Sequence, residues 1–266
     1  VKTHRPLRLA LLLLLPQLWP GPSAPARAED EPAEASPDAP GDRTDFAAWF
    51  EGRLPSPRAE ELLAAVDGAL ERLESELAGL GQDPRDREAV QRQLALLVEE
   101  DQAVRGALVL AVDAELLPPE LNWLADELGD RALALDRRTS RRLRALLMVH
   151  DWFTISAFGP EADKQGLWLL ARAGSDPELQ RLALERLERL AFRGETSISH
   201  YAALHDAVSV AGERPQRYGT QGRCVGPGAW EPWPLEEPAA EVDTRRARVM
   251  LGPLAETCAL LSRSCP

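Results

Sequence analysis

Leu62, Val66, Leu70, Leu73 and Leu77 follow one another at spacings of four and three, and that spacing admits one regular structure. Residues so placed share a face of an α-helix, whereas a half-buried strand needs alternation at every second residue. Ser56-Pro57 precedes the stripe as a capping residue and a first-turn proline. The pattern returns after Asp83-Pro84, with Val90, Leu94, Leu97, Val104 and Leu108 in the apolar positions. The short Gly79–Asp83 connection predicts an antiparallel helical hairpin over residues 56–112. Further helices are expected at about 119–128, 139–150, 161–173, 177–193 and 197–211, and a last one at about 243–262. Strand signals are few. Arg217–Cys224 and Ala229–Leu235, on either side of Gly226-Pro227-Gly228, predict one short β-hairpin. The expected fold is mainly α: a bundle-like single domain over residues 45–262, with the β-hairpin near its C-terminal third.

The residues ahead of this domain read differently. Lys2, Arg5 and Arg8 form a basic start, Leu9 to Leu15 an apolar run, and Ala26-Arg27-Ala28 a small-x-small cleavage pattern. Residues 1–28 are therefore expected to be a secretory signal and the protein to be exported, periplasmic or extracellular. The apolar run is far shorter than the roughly 20 residues a spanning helix needs, so no membrane insertion is expected after cleavage. Residues 29–44 read as a disordered linker, because Glu29 to Asp42 hold no large apolar side chain to offset ordering entropy.

The formal net charge is -12, and loss of Lys2, Arg5, Arg8 and Arg27 with the signal makes it more negative still. A chain this acidic has no counterion-release route to nucleic acid, which is excluded as a partner. The cysteines are Cys224, Cys258 and Cys265. An oxidising compartment permits one disulfide and leaves one thiol. Cys224–Cys258 would tie the loop after the polar run to the last helix, and Cys258–Cys265 would only close the tail. The first is preferred because it constrains a long irregular segment.

Asp101 stands where the second helix demands an apolar residue, between Leu97 and Val104. A carboxylate on a buried stripe needs a partner or a role, and Arg105 one turn later could supply an ion pair. His150 ends a helix whose apolar face is Leu143, Leu146 and Leu147; it is either a core-side histidine or a partner for the helix dipole. His205 shares a face with Tyr201 and Val208 and is followed by Asp206. His200 and His205 are separated by roughly 140° around a helix and cannot jointly hold one metal ion. No metal site and no cofactor are expected. A nucleophile elbow, a phosphate-binding glycine loop and a His-Glu-x-x-His pair are all missing from the sequence. Against this background Pro215-Gln216-Arg217-Tyr218-Gly219-Thr220-Gln221 is a compact polar island, with Gly219 allowing a turn or a close approach.

Taken in order, Glu100-Asp101-Gln102-Ala103-Val104-Arg105, Asp136 with Leu143, His150-Asp151-Trp152-Phe153-Thr154, Trp168-Leu169-Leu170, Asp176-Pro177, Leu204-His205-Asp206, Gln216 to Gln221 and Val242-Asp243-Thr244-Arg245-Arg246 make a pattern. It resembles a bacterial family of uncharacterised proteins, domain-of-unknown-function family 6624, over about Leu96 to Glu256. The family usually has His-Gly-Trp-Pro where this chain has His150, Asp151, Trp152 and Phe153. It typically carries Gln-His-Ala-Asp where this chain has Arg172, Ala173, Gly174 and Ser175, and an Asp-Arg pair where this chain has Asp206-Ala207. The missing Gln-His-Ala-Asp block held the family's best acid–base candidate, which implies a member without catalysis.

The expected function is binding of an unidentified ligand or protein at a polar pocket lined by Asp101, Arg105, Tyr218, Thr220, Gln221 and Arg245, with Gln216 and Asp243 in the same runs. The alternative is a hydrolase or transferase of unrecognised type. His150 or His205 would be its base, Tyr218 and Gln221 would orient the substrate, and Arg245 would hold an anionic group. A third reading makes the polar run a structural latch between hairpin and helices.

Overall fold

The computed structural model describes residues 55–81, 83–113 and 116–265; the expected signal and linker lie outside the described residues. Among the described residues, eight α-helices and one two-stranded sheet follow in order: α1 (Pro57–Gly79), α2 (Arg87–Asp113), α3 (Pro118–Val149), α4 (Ile155–Arg172), α5 (Pro177–Ala191), α6 (Ile198–Ala211), β1 (Gly222–Gly226), β2 (Ala229–Pro232), α7 (Ala239–Arg248) and α8 (Leu254–Ser262). The fold is mainly α. Its contacts gather into two compact units, the smaller including Arg105–Gly129 and the larger comprising Val66–Val104 and Asp130 onward.

In the smaller unit, Leu116, Leu124, Ala125 and Leu128 are buried. The Glu120 carboxylate caps the start of α3 by accepting the Leu117 N–H at 2.7 Å.

The larger unit holds the main core. Leu77 of α1, Val90, Leu94 and Leu97 of α2, and Leu143 and Leu146 of α3 pack with Leu167 and Leu170 of α4 and Leu187 of α5. Arg92 of α2 reaches Glu76 of α1, and Arg138 of α3 reaches Glu74 of α1 and Glu100 of α2. α6 lies against α4 and α5, and α8 lies against β2 and α7.

Several boundaries differ from the sequence expectation, each for a local reason. The two helices expected at 119–128 and 139–150 are one, α3, because the residues between them contain no proline and Gly129 alone does not end a helix. α2 starts at Arg87, since Asp86 caps it by accepting the Glu88 and Ala89 N–H groups, and Pro84 falls in the turn before. α4 starts at Ile155 and kinks at Gly159, whose φ of 80° precedes Pro160. The last helix divides into α7 and α8 around Gly252-Pro253. The hairpin pairs Gly222 with Pro232 and Cys224 with Trp230. Arg217–Gln221 lies outside β1, because its N–H groups bond to a side chain and not to a neighbouring strand.

The disulfide expectation is corrected. Cys224 is bonded to Cys265, and Cys258 is free. The three-residue turn after α8 brings Cys265 beneath the hairpin, where its carbonyl accepts the Gly228 N–H at 3.1 Å. Cys258 lies within α8, ahead of that turn.

Candidate functional site

The polar run is organised around Asp206, a fully buried carboxylate on α6. Its Oδ1 accepts the N–H groups of Arg217 at 2.8 Å and Tyr218 at 3.1 Å. Its Oδ2 accepts the Thr220 N–H at 2.9 Å and the Thr220 hydroxyl at 3.0 Å. Convergent backbone N–H groups of this kind form an anion-binding concavity, and here the anion is the chain's own carboxylate. Gly219 makes the bend at φ 67°, where an added Cβ would come within 2.8 Å of Leu254.

A buried cation grips the same segment from the other side. Arg246 of α7 is 1 % exposed, and it donates to the carbonyl of Tyr218 at 2.7 Å, to that of Gly252 at 2.6 Å and to the Thr257 hydroxyl. The Tyr218 residue is thus clamped by its N–H to a carboxylate and by its carbonyl to a guanidinium. Burial holds the Arg246 guanidinium below its usual range, and the nearby Asp243 and Asp206 charges oppose that shift. Charge-assisted hydrogen bonds contribute about 1.5–3 kcal/mol each, so this clamp fixes the loop's conformation.

The other motif side chains are similarly committed. Gln216 donates to the carbonyls of Gln221 and Trp233 at 2.8 Å each and accepts the Gln221 N–H at 2.9 Å. Gln221 donates to the carbonyl of Ala203 at 3.3 Å and to the Thr220 hydroxyl at 3.2 Å. Asp243 caps α8 through the Leu254 N–H at 2.7 Å. Arg245 pairs with Glu236 at 2.9 Å and with Glu237, so the expected anion holder is already occupied by carboxylates of this chain.

His205 differs from these. Its ring lies edge-on between Tyr201 and Tyr218, with centroids 6.2 Å and 5.7 Å away, and its side chain is 24 % exposed. Nδ1 is buried, makes no hydrogen bond and stands 3.6 Å from Asp206 Oδ1. Burial raises the pKa of both tyrosines, which keeps them protonated. Arg217, exposed, lies over the Tyr218 ring at 5.8 Å.

A family model matches residues 88–265, which takes in every group in this knot. The chain belongs to the family of unknown function DUF6624. No curated protein and no solved structure matched it.

The remaining DUF6624 pieces of the larger unit form separate clusters. Asp101 Oδ2 accepts the Trp168 indole N–H at 2.9 Å and lies 3.6 Å from Arg172 Nε, with Arg172 stacked over the Trp168 ring at 4.8 Å. Arg172 is the first residue of the stretch that departs from the family pattern, and it places a cation beside Asp101. Arg105, half-buried, belongs to the smaller unit. His150 donates from Nε2 to the Pro84 carbonyl at 2.6 Å and packs its edge on Phe158, a helix-end anchor. The structure therefore brings together His205, Asp206, Gln216, Tyr218, Thr220, Gln221, Asp243 and Arg245, while the contacts described for Asp101 and His150 lie elsewhere.

Sequence reasoning missed several buried charges, among them Glu100, Arg246 and Asp163. Asp163 is 1 % exposed and accepts from Trp152 Nε1 at 2.7 Å, the Thr196 hydroxyl at 2.5 Å and the Ser197 N–H at 2.9 Å. Burial raises its pKa, and these hydrogen bonds work against the rise. Among the described residues no group of three or more His, Cys, Asp or Glu is placed to hold a metal ion. No helix among them is long and apolar enough to cross a membrane.

Proposed function

We propose that this protein is an exported, non-catalytic binding or interaction module whose family motif is a structural knot. Recognition falls to the groups the knot leaves accessible, namely the part-exposed His205 and the exposed Arg217. The observation that carries this reading is the commitment of Asp206, Gln216, Thr220 and Gln221 to main-chain partners and to one another, with Asp101 paired with Arg172. A polar set so occupied holds backbone in place and has little capacity left for substrate. The disulfide and the acidic charge support export. Mass spectrometry of small molecules co-purifying with the native protein should find a ligand that His205→Ala and Arg217→Ala lose without a change in melting temperature. Equal retention by both variants would remove these residues from recognition. For export, the mature protein should begin near Glu29; an intact basic start would count against it.

A second reading, a hydrolase or transferase, is favoured by one observation. His205 keeps an unbonded buried nitrogen beside two tyrosines, whereas His150 is committed to the Pro84 carbonyl. His205, and not His150, would then be the base. Turnover in a broad substrate screen that is unaltered in both His205→Gln and Tyr218→Phe would dispose of it.

A further inference from the structure

Opposite ring nitrogens of His150 and His205 are turned into the protein. His150 gives Nε2 to the Pro84 carbonyl at 2.6 Å, so that nitrogen carries the proton. In His205 it is Nδ1 that is buried; it makes no hydrogen bond and stands 3.6 Å from Asp206 Oδ1. His205 Nε2 makes no hydrogen bond among the described residues either. It is not buried as Nδ1 is, so it is the nitrogen of this part-exposed ring that a ligand can reach.

We propose that the Asp206 carboxylate keeps the His205 proton on Nδ1, so that Nε2 presents its lone pair outward and takes a hydroxyl or ammonium group of a ligand. This rests on the reading of His205 as a recognition group. In a neutral imidazole one nitrogen carries the proton and the other a lone pair. A lone pair on Nδ1 would face a carboxylate that repels it, whereas an Nδ1–H dipole is attracted. The separation is too long for a hydrogen bond, so the preference is electrostatic, and burial leaves little water to screen it. The Asp206 oxygens are meanwhile fixed by the N–H groups of Arg217, Tyr218 and Thr220 and by the Thr220 hydroxyl. Asp206 is thus a positioning residue, acting on a ligand only through the ring.

The surrounding charges do not make this selection. Around Tyr218 they are mixed, with Asp206 and Glu188 negative and Arg217 and Arg245 positive, and Arg245 is already paired with Glu236 and Glu237. The specific feature is an acceptor nitrogen. A carboxylate or phosphate would bring lone pair against lone pair there, and a hydroxyl or ammonium supplies the proton that Nε2 lacks.

Nitrogen-15 NMR of the purified protein labelled on histidine reads the tautomer, because a ring nitrogen resonates differently with and without its proton. Spectra are taken at about pH 8, above the range in which an unperturbed imidazole is charged. His150→Gln and His205→Gln assign the signals. His150 should show Nε2–H, a reference of the opposite sense, and His205 mainly Nδ1–H. A His205 that is mainly Nε2–H, or protonated on both nitrogens, would overturn the proposal. Asp206→Asn removes the charge, and in the folded variant the Nε2–H form of His205 should gain; an unaltered tautomer would take the role from Asp206. Should that variant fail to fold, Tyr201→Phe and Tyr218→Phe replace it. The Nδ1–H form should persist in both, and its loss in either would give the role to that tyrosine. Ethanolamine, with a hydroxyl and an ammonium, and acetate, with neither, probe the ligand class. Ethanolamine should move the Nε2 signal toward its protonated position and acetate should leave it in place. A response to acetate, or none to ethanolamine, rejects that class. The tautomer is read on the protein alone, so it stands or falls separately from ligand loss in His205→Ala, which tests the reading beneath it.

Discussion

Asp206 holds three N–H groups and a hydroxyl of one loop with its two oxygens, and the Tyr218 and Thr220 donors among them are buried. Asp206→Asn keeps the shape but turns an acceptor into a donor that faces other donors. Stability should fall by about 3 kcal/mol, read from urea unfolding. The residue that makes this knot was legible in principle. Asp206 follows Ala202 by four and precedes Ser209 by three, so it occupies a buried stripe. The same four-and-three placement marks Asp163 before Leu167 and Leu170, and Arg246 between Val242 and Val249. The rule that singled out Asp101 would have found all of them. Which backbone groups each charge would meet was not legible, since those partners come from loops with no period.

A second residue-scale effect concerns pH. Burial, and then the Lys164 charge, hold the His200 imidazole below its ordinary 6.5. The unfolded chain therefore takes up a proton near 6.5 where the native protein resists it. The stability tied to neutral His200 is complete above that value and is lost as pH falls from it toward the native-state pKa. Between about pH 7.5 and about pH 5.5 the urea midpoint should drop less in His200→Gln than in wild type. Asp163 acts with the opposite sign. Its pKa is raised, so its contribution is lost as pH rises from the ordinary 3.8 through the native-state value.

At the scale of elements, the helices were readable because each carries an apolar stripe with a period of its own. Their ends were less so. Gly129 was passed over inside α3, while Gly252-Pro253 divided what looked like one helix, and the difference is the proline. The hairpin was found from Gly226-Pro227-Gly228, but β1 is shorter than expected because Asp206 takes the N–H groups ahead of it. Space within the hairpin supplies a sharp contrast. A Cβ on Gly222 would lie 2.2 Å from both the Glu231 carbonyl oxygen and the Trp230 ring, whereas one on Gly226 meets nothing within 4 Å. Gly222→Ala should cost about 3 kcal/mol and shift the tryptophan emission. Gly226→Ala should stay within about 0.5 kcal/mol of wild type in the same unfolding assay.

For the whole molecule, the one disulfide joins residues 41 apart in sequence. Reducing it should lower stability by about 2–4 kcal/mol, chiefly by freeing the unfolded chain. Far-UV circular dichroism should change little, because α1 to α6 make their core without it. The cysteine pairing was the least legible feature of the sequence. The long irregular segment that a bond to Cys258 would constrain favoured that pairing, and the turn after α8 that presents Cys265 has no sequence signature of its own.

The clamp on Tyr218 also imposes an order on folding. The loop from Arg217 to Thr220 finds acceptors only on α6 and a donor only on α7, so it has nothing to close upon until both helices exist. Its bonds are therefore expected to form late, and Asp206→Asn should speed unfolding, read by stopped-flow in urea, more than it slows folding. On that expectation the most recognisable run of the sequence bears on how long the folded protein persists more than on how fast it arrives.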